Sequence, residues 1–183
     1  MDYGPREIGI GGRLLRLRSP GGADGPAMLD YFRAVSGETE YMVSYPEEIT
    51  YTEEDEAKLM EERRASPDVV MIAAFDGDRV VGVVSLLAVG NKSKTRHRAN
   101  LGIALRQEVC GMGLGRLLME LAEEQARLMG FSQLELGVFA DNARAIRLYD
   151  GLGYAVYGRI PCAFRRRDGT CRDEVLMVKT LDA

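Results

Sequence analysis

The chain has 183 residues, 46% of them hydrophobic, and a formal net charge of −4 at pH 7. This size and composition suit one domain with a full apolar core. The negative charge and the absence of a basic stripe exclude a typical nucleic-acid-binding surface. The sequence has no apolar run near the roughly 20 residues that cross a bilayer, and no signal-peptide pattern at its start. We therefore expect a cytoplasmic protein with no membrane partner.

The three cysteines, Cys110, Cys162 and Cys171, are widely spaced along the chain. Their number and spacing predict neither a disulfide framework nor a zinc site. Other patterns of metal-ligand spacing are also lacking, so we expect no metal cofactor.

The first third of the chain predicts one strand and two helices. Glu7 to Arg18 has partly alternating apolar residues, which favours a strand, and Asp24 to Ser36 has apolar residues on one helical face. Glu38 to Thr52 shows no clean period and is interpreted as an irregular connection. Thr52 then caps a helix that runs to Ala65, because a threonine followed by acidic residues is typical of a helix start.

The middle of the chain predicts a hairpin, a strand and a helix. Two apolar, β-branched runs, Val69 to Phe75 and Arg79 to Val89, are joined by a short turn centred on Gly77. His97 to Leu105 supplies the next strand. The helix that follows has leucines at spacings of three and four and is closed by Gly130.

The last third predicts a strand, a helix and two more strands. The strand is Gln133 to Phe139, and Asp141 caps a helix from Asn142 to about Leu152. Tyr154 to Phe164 and Cys171 to Lys179 form the final pair of strands. The succession of strands and helices predicts an α/β fold in which one mixed sheet is flanked by helices.

One stretch, Leu101 to Arg116, carries the clearest functional signal. An apolar strand is followed by three glycines at alternate positions, Gly111, Gly113 and Gly115, and then by the amphipathic helix. Glycine permits sharp turns and close approach of the backbone to a ligand, and the free amides at a helix start attract phosphate. The spacing matches neither the nucleoside-triphosphate loop nor the dinucleotide fingerprint. A different phosphate ligand is therefore expected.

The alternating glycines resemble the pyrophosphate loop of the GNAT superfamily of N-acetyltransferases, which holds acetyl-coenzyme A. That loop has Arg or Gln, two residues, Gly, one residue, and Gly or Ala; Gly113 and Gly115 fit, but Cys110 replaces the usual Arg or Gln. Because backbone amides do most of the holding, we expect this departure to alter affinity without abolishing binding. The resemblance implies that the cofactor contacts Ile103, Ala104, Leu105, Cys110, Gly111, Met112, Gly113, Leu114, Gly115 and Arg116.

A second stretch, Leu134 to Tyr154, resembles the other half of the same cofactor site. Asn142, Ala145 and Tyr149 share one helical face, since they are three and four residues apart. The resemblance implies that Ala145 lies in the cofactor site, that Asn142 hydrogen-bonds the pantetheine or pyrophosphate arm, and that Tyr149 points at the cofactor sulfur. It also implies the GNAT fold, with a mostly antiparallel sheet.

The group that accepts the proton of the attacking amine stays open. His97 has a side chain whose ordinary pKa suits a base, and Glu38 and Glu40 lie where the substrate loop of the family is found. Asn100 occupies a position that often carries a carboxylate in the family; it cannot take a proton from an amine but can order a water molecule. For the leaving thiolate, Tyr149 is the candidate acid.

These observations predict one GNAT domain over residues 1–183, with a substrate-variable part at about 1–66 and a cofactor core at about 69–181. The expected reaction is acetyl transfer from acetyl-coenzyme A to a primary amine, either a small molecule such as an amino acid or polyamine, or a protein N-terminus. The alternative is a non-catalytic module that binds an acyl-coenzyme A as a sensor. Homodimers are common in the family, and nothing in the sequence shows one here.

Overall fold

The computed structural model describes residues 2–181 of the chain. The described part contains eight strands and four helices. The strands are β1 (Arg6–Ile10), β2 (Arg13–Arg18), β3 (Val69–Asp76), β4 (Arg79–Ala88), β5 (Arg98–Leu105), β6 (Gln133–Phe139), β7 (Ala155–Arg165) and β8 (Cys171–Thr180). The helices are α1 (Gly25–Glu38), α2 (Glu53–Ala65), α3 (Leu114–Leu128) and α4 (Ala143–Asp150). Among the described residues, no helix combines the length and the apolar character that crossing a bilayer requires.

All eight strands form one sheet in the order β1-β2-β3-β4-β5-β6-β8-β7. Every neighbouring pair is antiparallel except β5 and β6, which run parallel because α3 carries the chain back to the same end of the sheet. This arrangement confirms the expected α/β fold with one mixed, mostly antiparallel sheet.

Helices cover both faces of the sheet. On one face, α3 packs Leu114, Leu118 and Leu121 against alternate residues of the central strands. On the opposite face, α1 contributes Met28 and Tyr31 to a second buried cluster, which also includes Met60 of α2. Successive strand residues point to opposite faces, so the long apolar runs of β3 and β4 serve both layers.

The first predicted strand is instead a hairpin. Gly11 and Gly12 have φ angles of 56° and 79°, and they connect β1 to β2. A two-residue turn with both φ angles positive matches the twist of a β-hairpin, and glycine adopts that conformation without steric cost. Because apolar residues partly alternate over Glu7 to Arg18, the sequence pattern predicted one continuous strand and not two strands joined by a turn.

Two helix ends also differ from the predictions. Helix α1 continues through Gly37 to Glu38, beyond the predicted end at Ser36. The cap of α4 is Asn142, whose side-chain oxygen accepts the N–H of Ala145 at 3.2 Å, whereas Asp141 was predicted to fill that role. Asp141 instead accepts a hydrogen bond from Arg172 of β8 at 2.8 Å.

The cysteine prediction was wrong for two of the three residues. Cys162 and Cys171 form a disulfide, nine residues apart in sequence. They lie on the adjacent strands β7 and β8, so the hairpin brings together two positions whose spacing in the sequence gives no disulfide pattern. Cys110 is a free thiol.

Candidate active site

The sheet opens into a gap between β5 and β6. The two strands pair only at Arg98–Gln133, Ala99–Leu134 and Asn100–Glu135, and beyond those positions they separate. The closed end of the gap is fixed by Arg98, whose guanidinium donates to both carboxylate oxygens of Glu135 at 2.5 and 2.7 Å. This hydrogen-bonded pair lowers the pKa of Glu135, so the carboxylate stays ionised at neutral pH.

The open part of β5 turns unused backbone groups toward this gap. The N–H of Arg106 bonds the carbonyl of Val81 on the β4 side. Because alternate residues of a strand direct their N–H groups to opposite edges, the amides of Ile103 and Leu105 face the gap. The carbonyl of Ala104 accepts the hydroxyl of Tyr31 at 2.7 Å, which helps hold β5 in place.

A cavity of about 610 Å³ lies at the open end of the gap. It is bounded by β5, the segment after α1, the glycine loop and the start of α4. Its lining residues include most of the predicted cofactor contacts, namely Ile103, Ala104, Leu105, Cys110, Gly111, Gly113, Gly115, Arg116, Asn142, Ala145 and Tyr149. Two predicted contacts do not line it: Leu114 is fully buried in the core, and the side chain of Met112 packs against Gly11.

The glycine loop presents backbone rather than side chains to this cavity. Gly111 and Gly113 have φ angles of 84° and 92°, in the left-handed region that glycine favours, and Gly113 is the N-cap of α3. Leu114 to Arg116 are the first residues of α3, where amides have no partner within the helix. These amides and the positive end of the helix dipole form a site suited to phosphate oxygens.

Two arginines add positive charge beside this loop. Arg116 lines the cavity and has Glu120 at 3.7 Å as an exposed ion-pair partner. Arg144 lies across the cavity from Gly111, with its guanidinium 3.8 Å from where a Cβ of Gly111 would stand. Arg144 has no ion pair or hydrogen bond with any other described residue. Arg144 could not be singled out from the sequence, because a lone arginine in a helix resembles ordinary surface charge.

Helix α4 places Tyr149 on the cavity side with only 7% of its surface exposed. Burial raises the pKa of Tyr149 to about 12, so its hydroxyl keeps its proton at neutral pH. Asn142 uses its side-chain oxygen to cap α4, which leaves its NH₂ group available to a ligand in the cavity.

The predicted bases are not all brought together. Glu38 lines the cavity, but its carboxylate accepts the backbone N–H of Gln107 at 2.6 Å and lies 3.9 Å from Arg106. Glu40 lies outside the lining and pairs with Arg166 at 2.9 Å. Both carboxylates thus have structural partners.

Asn100 and His97 also lie outside the cavity lining. Asn100 is exposed on β5, at the last position where β5 still pairs with β6. His97 is exposed before the start of β5, and its carbonyl accepts the N–H groups of Ser132 and Gln133. Six residues separate His97 from Ile103, or roughly 20 Å along an extended strand. The side chain of His97 is therefore at the wrong end of β5 for the cavity.

An aromatic wall, formed by Tyr41, Phe139 and Phe164, stands beside the cavity. Phe139 and Phe164 stack with ring centres 3.8 Å apart, and Tyr41, which lines the cavity, meets Phe139 edge-on at 5.7 Å. This wall joins the segment after α1 to the hairpin of β7 and β8. No sequence pattern indicates that these three aromatic side chains, which are far apart in the chain, lie together.

No group of three or more potential metal ligands occurs among residues 2–181.

Comparison with known proteins agrees with this geometry. The profile of the Acetyltransferase (GNAT) family matches residues 36–154, more than half of the chain. A mycothiol acetyltransferase from Jonesia denitrificans is 35% identical over 113 residues. That match covers 61% of this chain but 35% of the relative, so the chain spans about a third of its length. The L-amino acid N-acetyltransferase AaaT of Escherichia coli is 33% identical over 89 residues, covering 48% of this chain and 54% of AaaT.

Solved structures show the same fold over most of the chain. An acetyltransferase of the GNAT family from Streptococcus pneumoniae superimposes with a TM-score of 0.85 and 26% identity, covering 91% of this chain and 99% of that one. YncA of Salmonella typhimurium, solved with acetyl-CoA, has a TM-score of 0.78 and 21% identity, covering 92% and 94% of the two chains. The profile match, together with the opened sheet and the glycine loop, shows that the chain belongs to the GNAT family of acetyltransferases.

Proposed function

We propose that the chain is an N-acetyltransferase that moves an acetyl group from acetyl-coenzyme A to a primary amine. The observation that carries this proposal is the continuity of three features: the gap between β5 and β6, the cavity, and the glycine loop at the start of α3. A coenzyme is a long ligand with a phosphate-bearing end and a reactive thioester end. One continuous site with a phosphate-binding loop and a narrow gap suits both ends.

In this proposal the two ends are held by different groups. The amides of Leu114 to Arg116 bind the pyrophosphate, and Arg144 supplies a nearby positive charge that is not already neutralised. The gap-facing amides of Ile103 and Leu105 bind the pantetheine arm and stabilise the oxyanion that forms when the thioester is attacked.

The acceptor must lose a proton before it attacks. An alkylamine with a pKa of ~10.4 costs roughly 4–5 kcal/mol to deprotonate at pH 7. A base or a sheltered site is needed to lower that cost. Glu38 is the predicted base nearest the cavity, but its hydrogen bond to Gln107 already engages one oxygen.

Tyr149 is proposed to assist the departure of the coenzyme A thiolate. Since its pKa of about 12 lies well above the ~8.5 of a thiol, complete transfer of its proton alone would cost roughly 5 kcal/mol. Tyr149 therefore acts as a hydrogen-bond donor to the departing sulfur. It transfers its proton to the sulfur only while it receives another proton from the acylated nitrogen. The raised pKa keeps Tyr149 in the protonated form that this role requires.

The acceptor is proposed to enter from the side of the aromatic wall, opposite the glycine loop. This assigns the substrate-variable role to about residues 1–66, which supply Glu38, Tyr41 and Met42 to the cavity, and the cofactor role to about 69–181. A small amine such as an amino acid or a polyamine, or a protein N-terminus, fits this proposal. Among the relatives, AaaT is named for L-amino acids.

The proposal is tested by measuring coenzyme A release from acetyl-coenzyme A in the presence of different amines. The panel holds amino acids, polyamines, aminoglycosides and short peptides with free N-termini. Turnover with one class is the expected result and identifies the acceptor. Tight binding of acetyl-coenzyme A by calorimetry, with no release for any amine, would overturn catalysis in favour of a binding module.

A further inference from the structure

Glu174 lies on β8, on the face of the sheet that carries α1 and α2. It pairs in register with Phe139 of β6, and directly opposed residues of an antiparallel pair share a face. Phe139 belongs to the aromatic wall, and its edge-on neighbour Tyr41 lines the cavity. Glu174 thus lies on the acceptor side of the sheet, one strand away from the gap.

The carboxylate of Glu174 reaches across its neighbour strand toward the gap. It lies directly over Gly137 of β6, where a methyl group on that glycine would overlap its carboxylate oxygen. Gly137 is two residues beyond Glu135, the last residue of β6 that pairs with β5. The absence of a side chain at Gly137 therefore lets the carboxylate lie at the edge of the gap, on the same face as Asn100 of β5.

The carboxylate of Glu174 also differs in its partners from four other carboxylates around the site. Glu135 is held by Arg98, Glu38 by Gln107, Glu40 by Arg166 and Asp141 by Arg172. Across residues 2–181, Glu174 has neither an ion pair nor a hydrogen bond. It is half-buried. Glu174 lies just outside the residues that line the cavity, but its carboxylate stands over Gly137 at the β6 edge of the gap. A half-buried carboxylate without a partner at that edge is available to a cation that enters between the strands.

We propose that Glu174 binds the acceptor ammonium and receives its proton. This inference rests on the acetyltransferase function proposed above. The proton leaves the ammonium for the Glu174 carboxylate, and the freed nitrogen pair forms a C–N bond to the thioester carbonyl. The C–S bond then breaks, the second nitrogen proton passes by way of Tyr149 to the sulfur, and protonated Glu174 releases its proton to solvent.

The first experiment removes the charge of Glu174. Glu174→Gln is expected to lower kcat/KM about 100-fold at pH 7 with the best amine of the panel, the usual scale for loss of a general base. The deficit should shrink as pH rises from 7 toward the pKa of the amine, because the free amine then attacks without help. Glu174→Asp should recover part of the activity, and Glu124→Gln, on the exposed side of α3, should match the wild type.

The second experiment moves the carboxylate without replacing it. Gly137→Ala should displace the Glu174 side chain and lower kcat/KM, with a pH profile that resembles Glu174→Gln. Gly102→Ala is the matched control, since it adds a methyl on the same face of the opposite strand, where the nearest atom is Ser85 Oγ at an ordinary 3.6 Å. It should have a clearly smaller effect.

Calorimetry with acetyl-coenzyme A separates this inference from the function on which it rests. Unchanged cofactor affinity with lost turnover in Glu174→Gln supports the assignment. If wild-type protein turns over but Glu174→Gln keeps its full rate and pH profile, Glu174 is not the proton acceptor. If no amine supports turnover by the wild type, the acetyltransferase proposal fails first, whatever the variants do. A uniform loss in Glu174→Gln at every pH would also overturn the proposal, because it indicates a structural role.

Discussion

The two sides of the cavity are built by different means. On the proposed cofactor side, the glycine loop and the start of α3 present backbone amides, and the residues concerned are consecutive in the chain. On the proposed acceptor side, the segment after α1 meets the β7–β8 hairpin through side chains that are far apart in sequence, such as Arg166 with Glu40 and Arg167 with Tyr45.

This difference predicts which parts of the site should tolerate substitution. A backbone-built site depends on glycine conformation and is indifferent to many side chains, which accounts for Cys110 at a position where the family has Arg or Gln. A site built from paired side chains changes whenever one member of a pair changes. The cofactor side should therefore respond to altered backbone conformation, and the acceptor side to altered charge and packing.

The largest effect is expected where the two sides meet, at Tyr149. Tyr149→Phe should lower kcat about 100-fold and leave the Kd for acetyl-coenzyme A nearly unchanged, because the ring still packs while the proton donor is lost. Since burial raises the pKa of Tyr149 to about 12, its hydroxyl stays protonated as the pH rises, and wild-type kcat should not fall between pH 7 and 10.

Tyr154→Phe is the matched control, because it removes a hydroxyl from the ring next to Tyr149, with ring centres 6.1 Å apart, and Tyr154 lies outside the cavity lining. Stopped-flow or steady-state release of coenzyme A measures kcat. Equal losses in both variants would point to packing rather than to proton donation by Tyr149.

The next effect isolates the backbone on the cofactor side. Gly113→Val should weaken acetyl-coenzyme A binding about 30-fold, because valine is strained at a φ of 92° and would shift the backbone amides of the glycine loop. Gly130→Val imposes the same kind of strain, at a φ of 81°, at the end of α3 away from the cavity. Calorimetry should find affinity lost only at Gly113; a loss in both variants would indicate general misfolding.

The smallest effect is expected for a side-chain pair on the acceptor side. Arg166→Ala removes the ion pair with Glu40 and should raise KM for the amine about fivefold, with little change in acetyl-coenzyme A affinity. Arg165→Ala, at the exposed neighbouring position, controls for lost positive charge. If Arg166→Ala changes cofactor affinity as strongly as the amine KM, the two sides are not separable in the way that the structure suggests.

The same contrast governs what could be predicted from the sequence. The glycines and the helix that follows them are close in the sequence, so the sequence pattern places Gly111, Gly113, Gly115 and Arg116 together, and all four line the cavity. Helix α4 likewise brings Asn142, Ala145 and Tyr149 to one face, and the cavity receives all three. Local spacing determines both groups.

The rest depends on pairings that local spacing does not encode. The stack of Phe139 on Phe164, the disulfide of Cys162 with Cys171, and the position of Glu174 over Gly137 all require the order β6-β8-β7. His97 shows the opposite limit: it was one of the open candidates for the base because of its chemistry, and the direction of β5 places its side chain away from the cavity. The β1–β2 hairpin was missed because its two-glycine turn interrupts an otherwise strand-like pattern.

The opened sheet has a mechanical consequence. Strands β1 to β5 form one part of the sheet and strands β6 to β8 the other. In the described structure, three paired positions between β5 and β6 join the two parts. A ligand that hydrogen-bonds to β5 and also contacts α4, which follows β6, would link the two parts of the sheet. Amide hydrogen exchange should then slow in both Leu101–Leu105 and Leu136–Phe139 when acetyl-coenzyme A binds. Slowing in only one of these segments would show that the ligand does not link the two parts of the sheet. Slower exchange in both segments would mean that the bound acetyl-coenzyme A supplies the link between β5 and β6 that the sheet itself lacks beyond their three paired positions.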